Sequence, residues 1–269
     1  MLTPRLMRHL PFLAISFVSI LTACGSHSSN PTEGRGELDR MTFTYDGIFC
    51  LNDCSPGQPI AKGAHVVLAA KGDDAQARYR GRVTAPGLVI EHEDLQCMCM
   101  DHDASGSSSD GSIAPGESCY APTVRECWRT FTLRADEAGP VTLEVLGPND
   151  ELVDRIALVV AKPERIEAVV KTSRPTGGTI RTVTPGADGA FQVDAPARLD
   201  LEAAAFDGQG NALRMHTGDV VFASTDAKVS GWEGRYETEV HAPGVLHVTA
   251  TGLGMTKPFV VRVIAGIPR

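Results

Sequence analysis

The chain has 269 residues, 42% hydrophobic and 22% charged, with 25 Lys and Arg against 33 Asp and Glu and a formal net charge of −8. That length suffices for two ordinary domains, and the acidic balance argues against a nucleic-acid partner, because phosphate binding relies on clustered Lys and Arg and no basic run follows the N-terminus. The acidity is spread along the chain, as on a solvated surface, rather than gathered into one binding face.

Residues 1–23 carry Arg5 and Arg8, then an apolar run from Leu10 to Ala23, then small residues before a cysteine, which is the plan of an export signal. The run is 14 residues long and contains Pro11; a helix rising ~1.5 Å per residue needs about 20 to cross a bilayer. No membrane-spanning helix is therefore expected after processing. Removal of the segment takes away Arg5 and Arg8 but none of the 33 acidic residues, so the mature net charge is near −10.

The last four positions of this region, Leu21-Thr22-Ala23-Cys24, resemble the lipobox of bacterial lipoproteins. The resemblance implies cleavage before Cys24 and a diacylglycerol and amide-linked acyl chain on it, hence a membrane partner through lipid. Gly25, rather than Asp, follows the cysteine. In Gram-negative lipoproteins that implies release to the outer membrane, so the expected location is the cell envelope. Residues 24–40, read after the cysteine as GSHSSNPTEGRGELDR, have little to bury and are expected to form a flexible tether.

Beyond the tether, short period-two runs bounded by Gly, Pro, Asn and Asp recur about every ten residues, and no 12-residue stretch sustains an amphipathic helix. The expected fold is all-β. The runs also repeat. AHVVLAA at 64–70 has a counterpart in ARLDLEA at 197–203. The succession 131–135, Ala138-Gly139 and 141–145 parallels 236–240, Pro243-Gly244 and 246–250, and a closing strand follows each, at 156–160 and 259–264. Two units of about 100 residues match the size of immunoglobulin-like sandwiches. Alternation turns Val141, Leu143 and Val145 inward in one unit and Leu246, Val248 and Ala250 inward in the other.

Through 205–211 (AFDGQGN), 220–226 (VVFASTD) and 244–251, the second unit resembles the bacterial Ig-like domains of surface proteins. The resulting expectation is two tandem sandwiches, 41–162 and 163–269. The first carries an insertion of about 30 extra residues, placed at roughly 92–126.

Of the seven cysteines, Cys24 is assigned to lipid, leaving Cys50, Cys54, Cys97, Cys99, Cys119 and Cys127. An even number outside the cytoplasm argues for three disulfides. Cys97 and Cys99, one residue apart on an extended chain, are poorly placed to bridge each other, which leaves 12 of the 15 pairings open. The expected pattern has Cys50 and Cys54 tying their edge to the insertion and Cys119 or Cys127 closing the remainder.

Three kinds of chemistry compete in the insertion. Asp101, Asp103 and Ser105, with Gly106 next, are similar to the opening of an EF-hand calcium loop, but Ser112 stands where the bidentate Glu belongs. His92, Cys97, Met98, Cys99, Met100 and His102 form a soft donor set suited to copper or zinc, provided the cysteines stay reduced. Tyr120 and Trp128 flank the loop, and alternation places Trp128 on the face opposite Phe131 and Leu133, where it would anchor a protein or glycan if exposed, against the favoured reading that the insertion folds over it. Trp232 reads as a turn residue packed on the end of the second sandwich.

No G-x-S-x-G elbow, H-E-x-x-H helix or phosphate-cradling G-x-x-x-x-G-K occurs, and His216, His241 and His247 read as exposed strand and turn residues. The expectation is a non-catalytic, lipid-anchored envelope protein acting as spacer and recognition module, with no resident cofactor. The alternative is a metal-handling lipoprotein using the insertion.

Overall fold

The computed structural model describes residues 34–45, 55–72, 78–100, 112–113, 124–232 and 234–266. Residues 1–33, with the export segment and Cys24, lie outside the described residues, as do Cys50, Cys54, Asp101, His102, Asp103, Ser105, Cys119 and Tyr120.

The first body runs through β1 (Met41–Tyr45), β2 (Ile60–Ala61), β3 (His65–Gly72), β4 (Arg80–Val83), β5 (Leu88–Met100), β6 (Ser112–Ile113), β7 (Val124–Ala135), β8 (Gly139–Leu146) and β9 (Leu152–Ala161). One sheet has the order β1-β3-β7-β5-β6 and the other β2-β9-β8-β4. The second body comprises β10 (Arg165–Ser173), β11 (Arg181–Val183), β12 (Phe191–Ala195), β13 (Ala197–Phe206), β14 (Ala212–Leu213), β15 (Val220–Ser224), β16 (Ser230–Trp232), β17 (Arg235–Val240), β18 (Gly244–Gly252) and β19 (Met255–Ala265). Its sheets are β11-β10-β13-β17-β16, with β14 added to β13, and β12-β19-β18-β15.

The two bodies correspond strand for strand. β3 and β13 lie beside β7 and β17, the next two strands of each copy pair as β8-β9 and β18-β19, and in each copy a short strand joins the last one in parallel, β2 on β9 and β12 on β19. The fold is all-β, two tandem immunoglobulin-like sandwiches.

Alternation explains each core. Val141, Leu143 and Val145 are buried with Phe43, Leu68, Phe131 and Leu158, and Leu246, Val248 and Ala250 with Leu199, Leu201, Phe222 and Val261. Each large apolar side chain so placed stabilises by about 1.5–3 kcal/mol. Aromatic edges meet in the second core, where Phe259 contacts both Phe191 and Phe222 in T-shaped geometry.

The end of the expected tether is not loose. Asp154 on β9 is 0% exposed, and its carboxylate accepts hydrogen bonds from the backbone N–H groups of Leu38 (2.9 Å), Arg40 (2.8 Å), Met41 (2.7 Å) and Arg155 (2.8 Å). Gly36 abuts the same carboxyl, where a Cβ would collide with it. The Glu37 N–H also donates to the Arg155 carbonyl. Residues 34–40 are thus a clasp folded onto the first sandwich. Composition hides this, because the element that holds the polar segment is one buried acid more than 100 residues away.

Candidate functional site

The segment expected as a separate insertion begins as a continuation of the sheet. β5 and β7 pair from Leu88↔Ala135 to Met100↔Val124, with a bulge between Ile90 and His92, while β3 accompanies β7 only from Arg134 down to Arg129. The outer rungs, from Gln96↔Trp128 to Met100↔Val124, therefore form a ribbon beyond the edge of β3, and β6 pairs with its other side. Among the described residues, the start and end of the insertion are held by this main-chain ladder.

A disulfide joins Cys97 to Cys127, directly opposite residues of the ribbon with a Cα separation of 4.1 Å. That distance matches an antiparallel pair in the narrow rungs, where facing side chains come closest. The bridge is among the pairings left open by sequence. It also removes Cys97 from the soft-metal donor set, since a bridged sulfur offers no thiolate.

His92 stands exposed beside the bulge, and among the described residues no three His, Cys, Asp or Glu side chains converge as metal ligands. Asp101, Asp103, Ser105 and His102 fall outside those residues, and Cys99 enters only through its backbone.

Trp128 follows the covered alternative rather than the exposed one. It does lie on the face opposite Phe131 and Leu133, but it is only 9% exposed, with the Lys71 ammonium 5.4 Å from its ring centre. Thr130, next on that face, is buried too and donates its hydroxyl to the Asp94 carbonyl. Trp128 is therefore a packed residue and not an exposed anchor.

Trp232 behaves in the opposite way. It is 71% exposed, the most exposed large hydrophobic side chain among the described residues, where sequence placed it packed on the end of the sandwich. Its neighbour Gly231 faces Tyr236 so closely that a Cβ would strike the ring, which turns Trp232 to the outer face. On that face Arg198 pairs with Glu237, and burial, then the Glu237 carboxylate, push Asp200 above the usual carboxylate range. A shallow groove of about 370 Å³ runs there, lined by Arg198, Lys228, Ser230, Glu237, Thr238 and Glu239.

The junction between the sandwiches is hydrogen-bonded through the main chain. The Arg214 N–H donates to the Pro59 carbonyl (2.7 Å) and the Ala61 N–H donates to the Arg214 carbonyl (2.9 Å), so Arg214 adds a rung to the free edge of β2. Its guanidinium lies 5.4 Å from the ring centre of Tyr45 in the first core, where burial pushes the phenol well above its ordinary value. Asp219 reaches across as well. Its carboxylate accepts the His65 N–H (3.0 Å), meets His65 Nδ1 (2.8 Å) and accepts the His216 N–H (2.7 Å). Glu91 flanks the same imidazole at 3.6 Å. The period-two reading placed Asp219 before a strand and His65 inside one, but nothing in the local sequence signals that they meet.

His247 and His216 serve local structure. His247 contacts Asp226 through its N–H (2.7 Å) and Nδ1 (2.8 Å), which holds the Asp226 carboxyl below its usual range, and His216 Nδ1 accepts the Gly218 N–H. Asp207 is occupied by its own turn, accepting from Gln209 and Asn211.

No protein-family model matches the sequence, and no curated protein matches it. Among solved structures, domains 5–6 of the S-layer protein SbsC are 14% identical with a TM-score of 0.30, covering 84% of this chain and 98% of that one. InvD of Yersinia pseudotuberculosis is 12% identical with a TM-score of 0.25, covering 84% of this chain and 58% of that one. The C-terminal domain of the AgI/II polypeptide BspA of Streptococcus agalactiae is 8% identical with a TM-score of 0.26, covering 82% and 99%. At these values the similarities say nothing beyond the β-architecture that the sheet order shows by itself.

Proposed function

We propose that the chain is a non-catalytic, lipid-anchored protein of the cell envelope, whose two sandwiches form a stiff spacer that carries a recognition surface away from the membrane. The observation that carries this reading is the stitched junction. The hydrogen bonds of Arg214 with Pro59 and Ala61 and of Asp219 with His65 join one body to the other without a slack linker. A spacer needs that property and a catalyst does not. The lipobox-like Leu21-Thr22-Ala23-Cys24 supplies the anchor in this reading, and the Cys97–Cys127 bridge suits an oxidising compartment.

The clasp around Asp154 fits the same role, since it sets the point at which a tether from Cys24 would meet the folded body. The test is fractionation of cells producing the full chain or its Cys24→Ser variant, with the mass of the N-terminal peptide. Membrane association and an acylated Cys24 in the wild type, both lost in the variant, are expected. A wild-type chain recovered unacylated in the soluble fraction would overturn the proposal.

A further inference from the structure

We propose that the outer face of the second sandwich around Trp232 is a binding site for an uncharged, hydroxyl-rich glycan chain, with the indole as its stacking platform. The inference deepens the recognition role above and rests on it for biological context only.

Trp232 stands out by its exposure. A tryptophan left 71% exposed forgoes the burial that normally holds such a side chain, and among the described residues every other Trp, Tyr and Phe is buried or partly covered. The residue is also held in place. It ends β16 opposite Arg235, and Gly234 beyond it has φ of +78°, with its Cα 3.8 Å from the Cβ position of Gly218. A side chain at Gly234 would run into Thr217 and Gly218, so the hairpin end rests against the turn at Thr217–Asp219. The main chain that carries the indole is fixed in this way, so binding has to order little beyond the side chain itself.

The surroundings select the ligand. By period two, Ser230 shares the outer face with Trp232, and the register brings Glu237 opposite Ser230, Asp200 beside Glu237 and Arg198 beside Glu239. The groove along these positions is lined by Arg198, Lys228, Glu237 and Glu239, two cations against two anions, with Ser230 and Thr238. That balance gives no net attraction for a polyanion or a cationic peptide. An apolar segment would desolvate these charged groups without replacing their hydrogen bonds.

A sugar ring offers what this surface lacks. One face of C–H groups stacks on the indole, while its hydroxyls donate to carboxylates and accept from guanidinium and ammonium groups, bonds strengthened by the charge on the protein partner. The groove is open and shallow, which suits a chain lying across the sheet rather than an enclosed small molecule.

The two tryptophans make the test direct. Trp128 is buried and Trp232 is exposed, so acrylamide quenching of the full-length protein reports mainly on Trp232. The probes are dextran, galactomannan, and oligomers of β-1,4-linked N-acetylglucosamine, with heparin as the charged control. At least one neutral probe is expected to retard the protein in affinity electrophoresis, to shift its emission to the blue and to shield it from acrylamide. Trp232→Ala is expected to weaken that binding by about tenfold or more at an unchanged unfolding midpoint. Trp232→Phe should retain part of it, and Glu237→Gln should weaken it.

Absence of binding to every neutral probe, binding to heparin alone, or equal binding by wild type and Trp232→Ala would each overturn the site. Fractionation of Trp232→Ala separates the two proposals. The variant stays membrane-bound if the envelope reading holds, whatever the glycans show.

Discussion

Replacing Asp154 tests how the first sandwich is closed. The side chain is fully buried and serves four backbone donors, of which the Met41 N–H is buried with it while those of Leu38, Arg40 and Arg155 are partly accessible. In Asp154→Ala the Met41 N–H loses its partner without access to water, at about 1–3 kcal/mol, and each accessible donor recovers water at a loss of about 0.5–1 kcal/mol. The sum is about 2.5–6 kcal/mol, a large part of the stability of an ordinary domain. Asp154→Asn keeps the shape but turns an N–H₂ group toward N–H donors, so it should cost nearly as much.

The assay is urea unfolding followed by fluorescence in a Trp232→Phe background, where Trp128 reports on the first sandwich alone. The midpoint should fall with little change in slope, and amide exchange at Met41 should accelerate well beyond that at Leu143 in the centre of β8. If both variants unfold within about 1 kcal/mol of wild type, the clasp is not held by the carboxylate.

Three further outcomes are expected. Replacing Cys97 and Cys127 together with Ala removes a cross-link between residues 30 apart, which in the chain-entropy account lowers stability by up to about 3.6 kcal/mol. Equal urea midpoints for oxidised wild type and the double variant would contradict it. Tyr45 is raised by burial, with Arg214 opposing, so its contribution is complete below the ordinary phenol value near 10 and is lost as pH rises from there through the folded value. Wild type should therefore lose stability in alkali more steeply than Tyr45→Phe, and one phenol should stay un-ionised in absorbance titration until unfolding. Asp219→Ala removes the acceptor shared by His65 and His216, and distances between spin labels on the two sandwiches should broaden while each sandwich keeps its own midpoint. A distribution as narrow as wild type would refute the latch.

The repeat was readable because it rests on local pattern. Val141-Thr142-Leu143-Glu144-Val145 and Leu246-His247-Val248-Thr249-Ala250 each alternate over a full strand, and period-two burial follows from backbone geometry alone. The clasp and the latch were not readable, because each depends on a carboxylate meeting donors far away in sequence. Asp154 lies 113 residues from Met41, and Asp219 lies 154 from His65. An acidic residue at a strand position looks the same in sequence whether it faces water or a row of N–H groups.

The two tryptophans show a different limit. Alternation gave the correct face for Trp128, but face is not exposure, and the ring is covered on the side that pattern leaves open. The strand correspondence adds what pattern could not. β5 and β7 in the first sandwich hold the same places in their sheet as β16 and β17 in the second, so the disulfide-bonded ribbon and the Trp232 hairpin are two elaborations of one hairpin. Its inner residues serve the core, with Phe131 in one copy and Tyr236 against Phe222 in the other, which leaves its far end free to vary without cost to the sandwich. The cysteine-rich copy draws the eye in sequence. The short copy carries the aromatic side chain in water, and that side chain is where binding is expected to be found.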